Sequence, residues 1–108
     1  MNYDPELRIT ELGLILPRVA RQVGLTMLST IKAHFGDLNQ IKRVLKVFGM
    51  VNCAPGFEKQ PIVINEFSEL MSEVFGEKNG IGARSAVGMI LPSNIPVEVG
   101  AMFELNGQ

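Results

Sequence analysis

Two charged residues near the C-terminus stand beside unusually small neighbours. Arg84 is followed at alternate positions by Ala86 and Gly88, and Glu98 is followed by Gly100. Side chains at i and i+2 of a strand share a face, so each charge lies next to a stretch with little bulk. Small side chains beside a charged one leave room above a sheet, which is what a small-molecule pocket requires. The plainer alternatives are a surface or interface ion pair for Arg84, with Glu104 as its partner, and a polar position on the wet side of an edge strand for Glu98.

Other reactive types are scarce. Cys53 is the single cysteine, so it has no intrachain disulfide partner and no second thiol for a metal cage, and a small apolar filler is the expected role. His34 is the single histidine and lacks a sequence partner for metal or acid/base work. Glu66, Glu69 and Glu73 fall on the exposed side of a helix, where a solvated face is expected rather than a metal site. Lys42, Arg43 and Lys46 form a small basic group, again expected to be the wet side of its element. The formal net charge of −1 argues against the broad electropositive surface that displaces counterions from nucleic acids. No metal and no cofactor is implied.

The elements that must carry these residues can be placed from periodicity. Ala83, Ser85, Val87, Met89 and Leu91 alternate with Arg84, Ala86, Gly88 and Ile90; Val97, Val99, Ala101, Phe103 and Leu105 alternate with Glu98, Gly100, Met102 and Glu104. This is a two-strand pattern. The connector from Pro92 to Pro96 is rich in turn residues and predicts a hairpin. Its continuously apolar face is expected to pack on helices, and the face holding Arg84 and Glu98 to lie open. Residues 41–51 fit a helix or a strand, and β-branched content with Gly49 favours a strand closed by the loop Asn52 to Gly56.

Two helices are expected upstream and between. Val19, Val23, Met27 and Ile31 recur every four residues, with Leu28 and Phe35 alongside, which predicts a helix from Arg18 to Phe35 stopped by Gly36. A second helix is predicted from Pro61 to Phe75, stopped by Gly76, with Val63, Phe67, Leu70 and Val74 flanked by Ile64, Met71 and Phe75 as its buried stripe. A further short helix is expected from Asp4 to Leu16, ending in a turn at Pro17.

A chain of 108 residues can bury one core but not two, so residues 1–108 are expected to form a single domain. Hydrophobic residues at 46% and charged residues at 19% fit a soluble globule rather than a disordered chain. No apolar run approaches the roughly 20 residues that cross a bilayer, so no membrane partner is expected. Met1 to Glu6 do not read as a secretory signal, which makes a cytoplasmic location the expectation.

The run Ala83-Arg84-Ser85-Ala86-Val87-Gly88, then Leu91-Pro92, then Val97-Glu98-Val99, resembles the C-terminal signature of the Rid family, also called YjgF or endoribonuclease L-PSP. Upstream, Val47 to Phe57 and Phe75-Gly76-Glu77 are similar to segments of one branch of that family, so the resemblance covers residues 18–105. It implies an α+β, chorismate-mutase-like mixed sheet with two helices packed on one face, assembled as a homotrimer with ligand clefts between subunits. It also implies hydrolysis of reactive enamine and imine intermediates to a keto acid and ammonia. In that scheme Arg84 holds the substrate carboxylate through paired charge-assisted hydrogen bonds, Glu98 orients and activates water, and Asn65 and the small position at Ala86 contribute to the substrate site. Ala86 stands where deaminating members commonly have cysteine. Asn65 has a simpler alternative as a polar residue decorating the start of its helix.

The chain departs from the family at its start. Pro17 runs straight into the Arg18 helix, where the family has a proline-rich segment and several strands. Three strands covering two helices would leave an open sheet edge that calls for a partner chain. A hairpin centred on Asn94 would set Glu98 opposite Ile90, six residues or roughly 20 Å from Arg84. The expected working site therefore combines Arg84 of one chain with Glu98 of its neighbour. Two other functions are weighed beside the deaminase: a catalytically silent trimer that binds small carboxylates or regulates a metabolic enzyme, and the historical label of ribonuclease or translation inhibitor. The composition gives the last little support, since RNA cleavage calls for phosphate-binding cations and an acid/base pair.

Overall fold

The computed structural model describes the backbone of residues 9–107 and the side chains of residues 16–107. In chain order it comprises helix α1 (Ile9–Phe35), strand β1 (Ile41–Val51), helix α2 (Gln60–Phe75), a single-turn helix α3 (Glu77–Gly80), strand β2 (Ala83–Gly88) and strand β3 (Val97–Leu105). The sheet order is β2-β1-β3. The architecture is α+β, with α1 and α2 on one face of a mixed three-stranded sheet.

Proline at position 17 does not end the first helix. It lies inside α1, which runs 27 residues, about 40 Å at about 1.5 Å per residue. A proline inside a helix forfeits one backbone hydrogen bond and crowds the preceding turn. Here apolar burial continues through it. Leu16 and Ala20 are fully buried and Leu28 nearly so, forming with Gly24 a line of every fourth residue that faces α2. This line is rotated slightly from the expected stripe: Val19, Val23 and Met27 are only half-buried at its flank. Gly24 lies on the line because a β-carbon there would come within 2.8 Å of Leu70 and 3.2 Å of Phe67. The part of the expected first helix before residue 9 lies outside the described residues.

Helix α2 follows its sequence pattern. Proline 61 occupies the first turn, where a missing N–H costs nothing, and Gly76 closes the helix at φ 87°, its N–H donating to the Ser72 carbonyl at 2.9 Å. Val63, Ile64, Phe67, Leu70 and Met71 are buried against α1 and the sheet. Gly49 on β1 lets the helix descend, since a β-carbon there would meet three side-chain atoms of Ile64 at 2.5–2.9 Å.

The two C-terminal strands do not form a hairpin. β2 runs parallel to β1, with Val47 opposite Arg84 and Gly49 opposite Ala86, and β3 runs antiparallel along the other edge of β1, with Val47 opposite Ala101 and Met50 opposite Glu98. A tight hairpin needs a connection of two to five residues, whereas residues 89–96 supply eight. That is enough to carry the chain past the end of β1, a distance of about 10 Å for two strand spacings. Asn52, just beyond β1 and buried, fastens the crossing. Its Nδ2 donates to Asn94 Oδ1 at 2.9 Å and to the Ile95 carbonyl at 3.1 Å, and its backbone N–H donates to the Pro96 carbonyl.

Candidate functional site

Strand β2 presents Arg84 toward the helices. The guanidinium reaches the polar side of α2, where Nη1 donates to Asn65 Oδ1 at 2.7 Å and to Ser68 Oγ at 3.2 Å. Asn65 and Ser68 are three residues apart and so neighbour each other on one helix face. Both acceptors take hydrogen bonds from a single terminal nitrogen. Arginine carries five N–H donors, and those on Nε and Nη2 meet no further protein acceptor among the described residues. No carboxylate among the described residues forms an ion pair with Arg84. The group is thus oriented by neutral partners while keeping an edge available for a planar anion.

Arg84 lines a cleft of about 790 Å³ between α2, α3 and the β1–β2 side of the sheet. Asn65, Ser68 and Ser72 line one wall, Val47 and Arg84 the floor, and Gly80 and Gly82 the far end. Glu69, Glu73 and Glu77 also border it. Glu73 accepts hydrogen bonds from Arg21 of α1, from Nη2 at 2.9 Å and from Nη1 at 3.5 Å. The Arg21 guanidinium, through its hydrogen bond and its charge, holds the Glu73 carboxyl below the usual carboxylate value, and Glu73 in turn raises Arg21.

The expectation for β2 had its faces inverted. Arg84, Ala86 and Gly88 point to the helices, while Ser85 points away and accepts a hydrogen bond from Lys46 Nζ at 2.9 Å. The reason is that Ala86 and Gly88 are small to admit what lies over them. Ala86 packs against the apolar core, and a β-carbon on Gly88 would meet Cys53 Sγ at 2.9 Å and Gln60 Nε2 at 3.0 Å. The free space lies on the other side of Arg84, toward α3.

Strand β3 has its expected faces. Val97, Val99, Ala101 and Phe103 pack inward. Glu98 therefore emerges on the sheet face opposite the helices. Arg84 and Glu98 sit on the two outer strands, separated by β1 and by three positions along it, roughly 14 Å between backbones, with side chains on opposite faces. One chain brings Arg84 and Asn65 together, keeps Ala86 on the same face of β2, and leaves Glu98 apart. Glu104 is not a partner of Arg84: it lies opposite Arg43 and accepts from its Nε at 2.8 Å, with Lys42 Nζ at 3.9 Å. Cys53 is half-buried beside Gln60. His34 is exposed in the last turn of α1, edge-on to Phe35 at 4.6 Å. Ser68 was missed. Its only trace in the sequence is its i+3 spacing from Asn65 on the polar side of α2.

Among the described residues no group of three histidine, cysteine or acidic side chains is arranged to hold a metal, and no helix is long and apolar enough to cross a membrane.

No family model matches the chain. Protein TCP17 of Trypanosoma cruzi is 46% identical over 88 residues, which cover 81% of this chain and 55% of that protein. The chain thus spans about half the length of the curated relative it matches. The crystal structure of Atu1372 from Agrobacterium tumefaciens, a protein of unknown function, superposes with a TM-score of 0.82 at 41% identity, covering 87% of this chain and 60% of that one. A candidate endoribonuclease from Shewanella oneidensis MR-1 superposes with a TM-score of 0.79, covering 93% of this chain and 64% of that one; at 23% identity the likeness speaks for the fold alone.

Proposed function

We propose that this chain is a member of the Rid (YjgF, endoribonuclease L-PSP) family, whose fold it shares, that the Arg84 cleft binds the carboxylate of a small amino-acid-derived molecule, and that an assembled homotrimer hydrolyses enamines and imines there. The observation that carries the proposal is the state of Arg84: a half-buried guanidinium held at Nη1 by Asn65 and Ser68, free of any described carboxylate, at the floor of a cleft. A carboxylate docking on the remaining Nε and Nη2 donors makes the bidentate pair that lysine cannot reproduce.

The chemistry then needs one water and one base. An enamine first takes a proton at its β-carbon to become the protonated imine. Water then adds to the imine carbon and gives one proton to a carboxylate, forming a neutral carbinolamine. The carboxyl group passes that proton to the amino nitrogen, so that ammonia leaves as the C–N bond breaks and the hydroxyl, becoming the keto carbonyl, returns its proton to the carboxylate. Glu98 is the carboxylate assigned to this task. Because it lies on the opposite face of its own sheet, the base at each cleft comes from a neighbouring copy. Holding acid, imine carbon and water in one frame lowers the barrier, since intramolecular positioning replaces a three-body encounter.

The test is ammonia release from an enamine generated in place by an amino-acid dehydratase. Arg84→Ala and Glu98→Gln should each abolish the protein-dependent rate while leaving the oligomer intact. An unchanged rate in Arg84→Ala sinks the mechanism.

One observation favours a second reading, binding without turnover: within a single chain the cleft holds the anchor but not Glu98. In that case a short keto acid raises the melting temperature of the protein, and no ammonia appears from the enamine at any protein concentration. The endoribonuclease reading, the historical label that the Shewanella protein also carries, has the weakest support, since Arg84 is the single cation bordering the cleft among the described residues and His34 sits in the last turn of α1. RNA degradation that copurifies with the protein and vanishes in Arg84→Ala would restore it.

A further inference from the structure

The charges around the Arg84 cleft are lopsided, and they bear on which acids it accepts. Among the described residues Arg84 is the one cationic side chain in the lining, against three carboxylates, Glu69, Glu73 and Glu77. Arg21 neutralises Glu73 from α1. Glu69 and Glu77 form no ion pair among the described residues. They are exposed, and both border the cleft that Arg84 lines.

Helix geometry sets the scale. Arg84 is held beside Asn65 and Ser68, and Glu69 lies one turn beyond Asn65 on the same side of α2, about 6 Å along the axis. Glu73 follows after another turn. An acid seated on Arg84 and extending along the helix therefore meets negative charge after about five or six bonds. A second carboxylate at that distance is repelled, an apolar end is tolerated, and an ammonium or guanidinium end is attracted.

We propose that the cleft selects carboxylates whose distal end is cationic, and that Glu69 and Glu77 exclude dicarboxylates. In terms of ligands, this narrows the class from small acids in general to molecules derived from basic amino acids, or others with the same charge layout. Selection works here by building repulsion against the wrong ligand as well as attraction to the right one. The inference rests on Arg84 being the carboxylate anchor, and the experiment separates the two.

Three five-carbon acids that differ only in their far end serve as probes: 5-aminopentanoate, pentanoate and glutarate. Affinities for the full chain are measured by titration calorimetry at low salt and again at 0.5 M salt. The expected order is 5-aminopentanoate, then pentanoate, then glutarate, with steps of roughly threefold, the size that one exposed charge pair supplies. The order should flatten at high salt and in the double variant Glu69→Gln with Glu77→Gln, whose exposed positions leave folding unaffected. Arg84→Ala should lose all three ligands. Equal affinities for the three acids, or glutarate binding most tightly, would overturn the charge selection while the anchor stands. If Arg84→Ala retains the wild-type affinities, or the wild-type protein binds none of the acids, the anchor itself falls and the selection with it.

Discussion

Placing a single methyl group at position 49 tests whether the seat of Arg84 depends on how low α2 lies on the sheet. A β-carbon on Gly49 would sit 2.5, 2.7 and 2.9 Å from the Cγ1, Cδ1 and Cγ2 atoms of Ile64, which is fully buried. Real contacts of this kind are near 3.5–4.0 Å, so about 1 Å of movement is required of a side chain enclosed on all sides by the core. Overpacking of this degree costs about 2 kcal/mol. Alanine also stiffens the unfolded chain relative to glycine, returning about 0.5 kcal/mol. The net for Gly49→Ala is a loss of about 1.5 kcal/mol, or about 7 °C in melting temperature for a domain of this size. Ile64→Val removes the Cδ1 atom, and in the Gly49→Ala background it should restore part of the loss instead of adding its own cost of about 1 kcal/mol. Because Ile64 adjoins Asn65, the relief has a functional counterpart: α2 lifted from β1 draws Asn65 and Ser68 away from Arg84, and the affinity for carboxylates drops along with stability. Both quantities come from one thermal-melt series with and without pentanoate. A Gly49→Ala protein as stable as wild type, or a strictly additive double variant, would refute the packing argument.

Three other outcomes are expected. Asn52→Ala strips the crossing segment of its bonds to Asn94 and Ile95 and should cost about 2 kcal/mol in denaturant titration, with proteolysis newly admitted between residues 89 and 96. Arg84→Lys keeps the charge but not the fork, so carboxylate affinity should fall at least tenfold with little change in melting temperature. The Arg21–Glu73 pair should confer stability that is fully present above the ordinary Glu73 value of 4.5 and lost as pH falls through its lowered folded value; Arg21 stays protonated throughout this range and adds no slope of its own. Glu73→Gln should flatten that acid limb of the stability profile, and high salt should weaken it in the wild-type protein.

The parts of the fold that periodicity could reach were those whose burial repeats. Helix α2 carries five buried residues at helical spacing between a proline and a glycine, and β1 ends where Asn52 takes over. Two features depended on distant partners and could not be read locally. The eight-residue connector after β2 carries turn residues whether it folds back or crosses over, and its route is decided by β1 occupying the middle of the sheet and by Asn52 tying down Asn94. Likewise, small residues at 86 and 88 are compatible with empty space or with tight packing. Only the arrival of α2 and Cys53 over them decides for packing. Arg84 was visible because a charge in such a strand is conspicuous. Ser68 was not, since a serine on a helix's polar face looks like any other solvated residue until something reaches it.

The strand order has a consequence for how the chain can be born. β1 lies at the centre, yet its neighbours come late: Val47 waits for Arg84, 37 residues downstream, and for Ala101, 54 downstream. During synthesis the middle of the sheet emerges bare on both edges, and only α1 and α2 are at hand to shelter its apolar side. Loop closures of this span are the slow part of folding. The sheet therefore locks only when residues 97–105 have left the ribosome, and a chain stopped short of β3 would expose the long edge of β1 to any strand passing by.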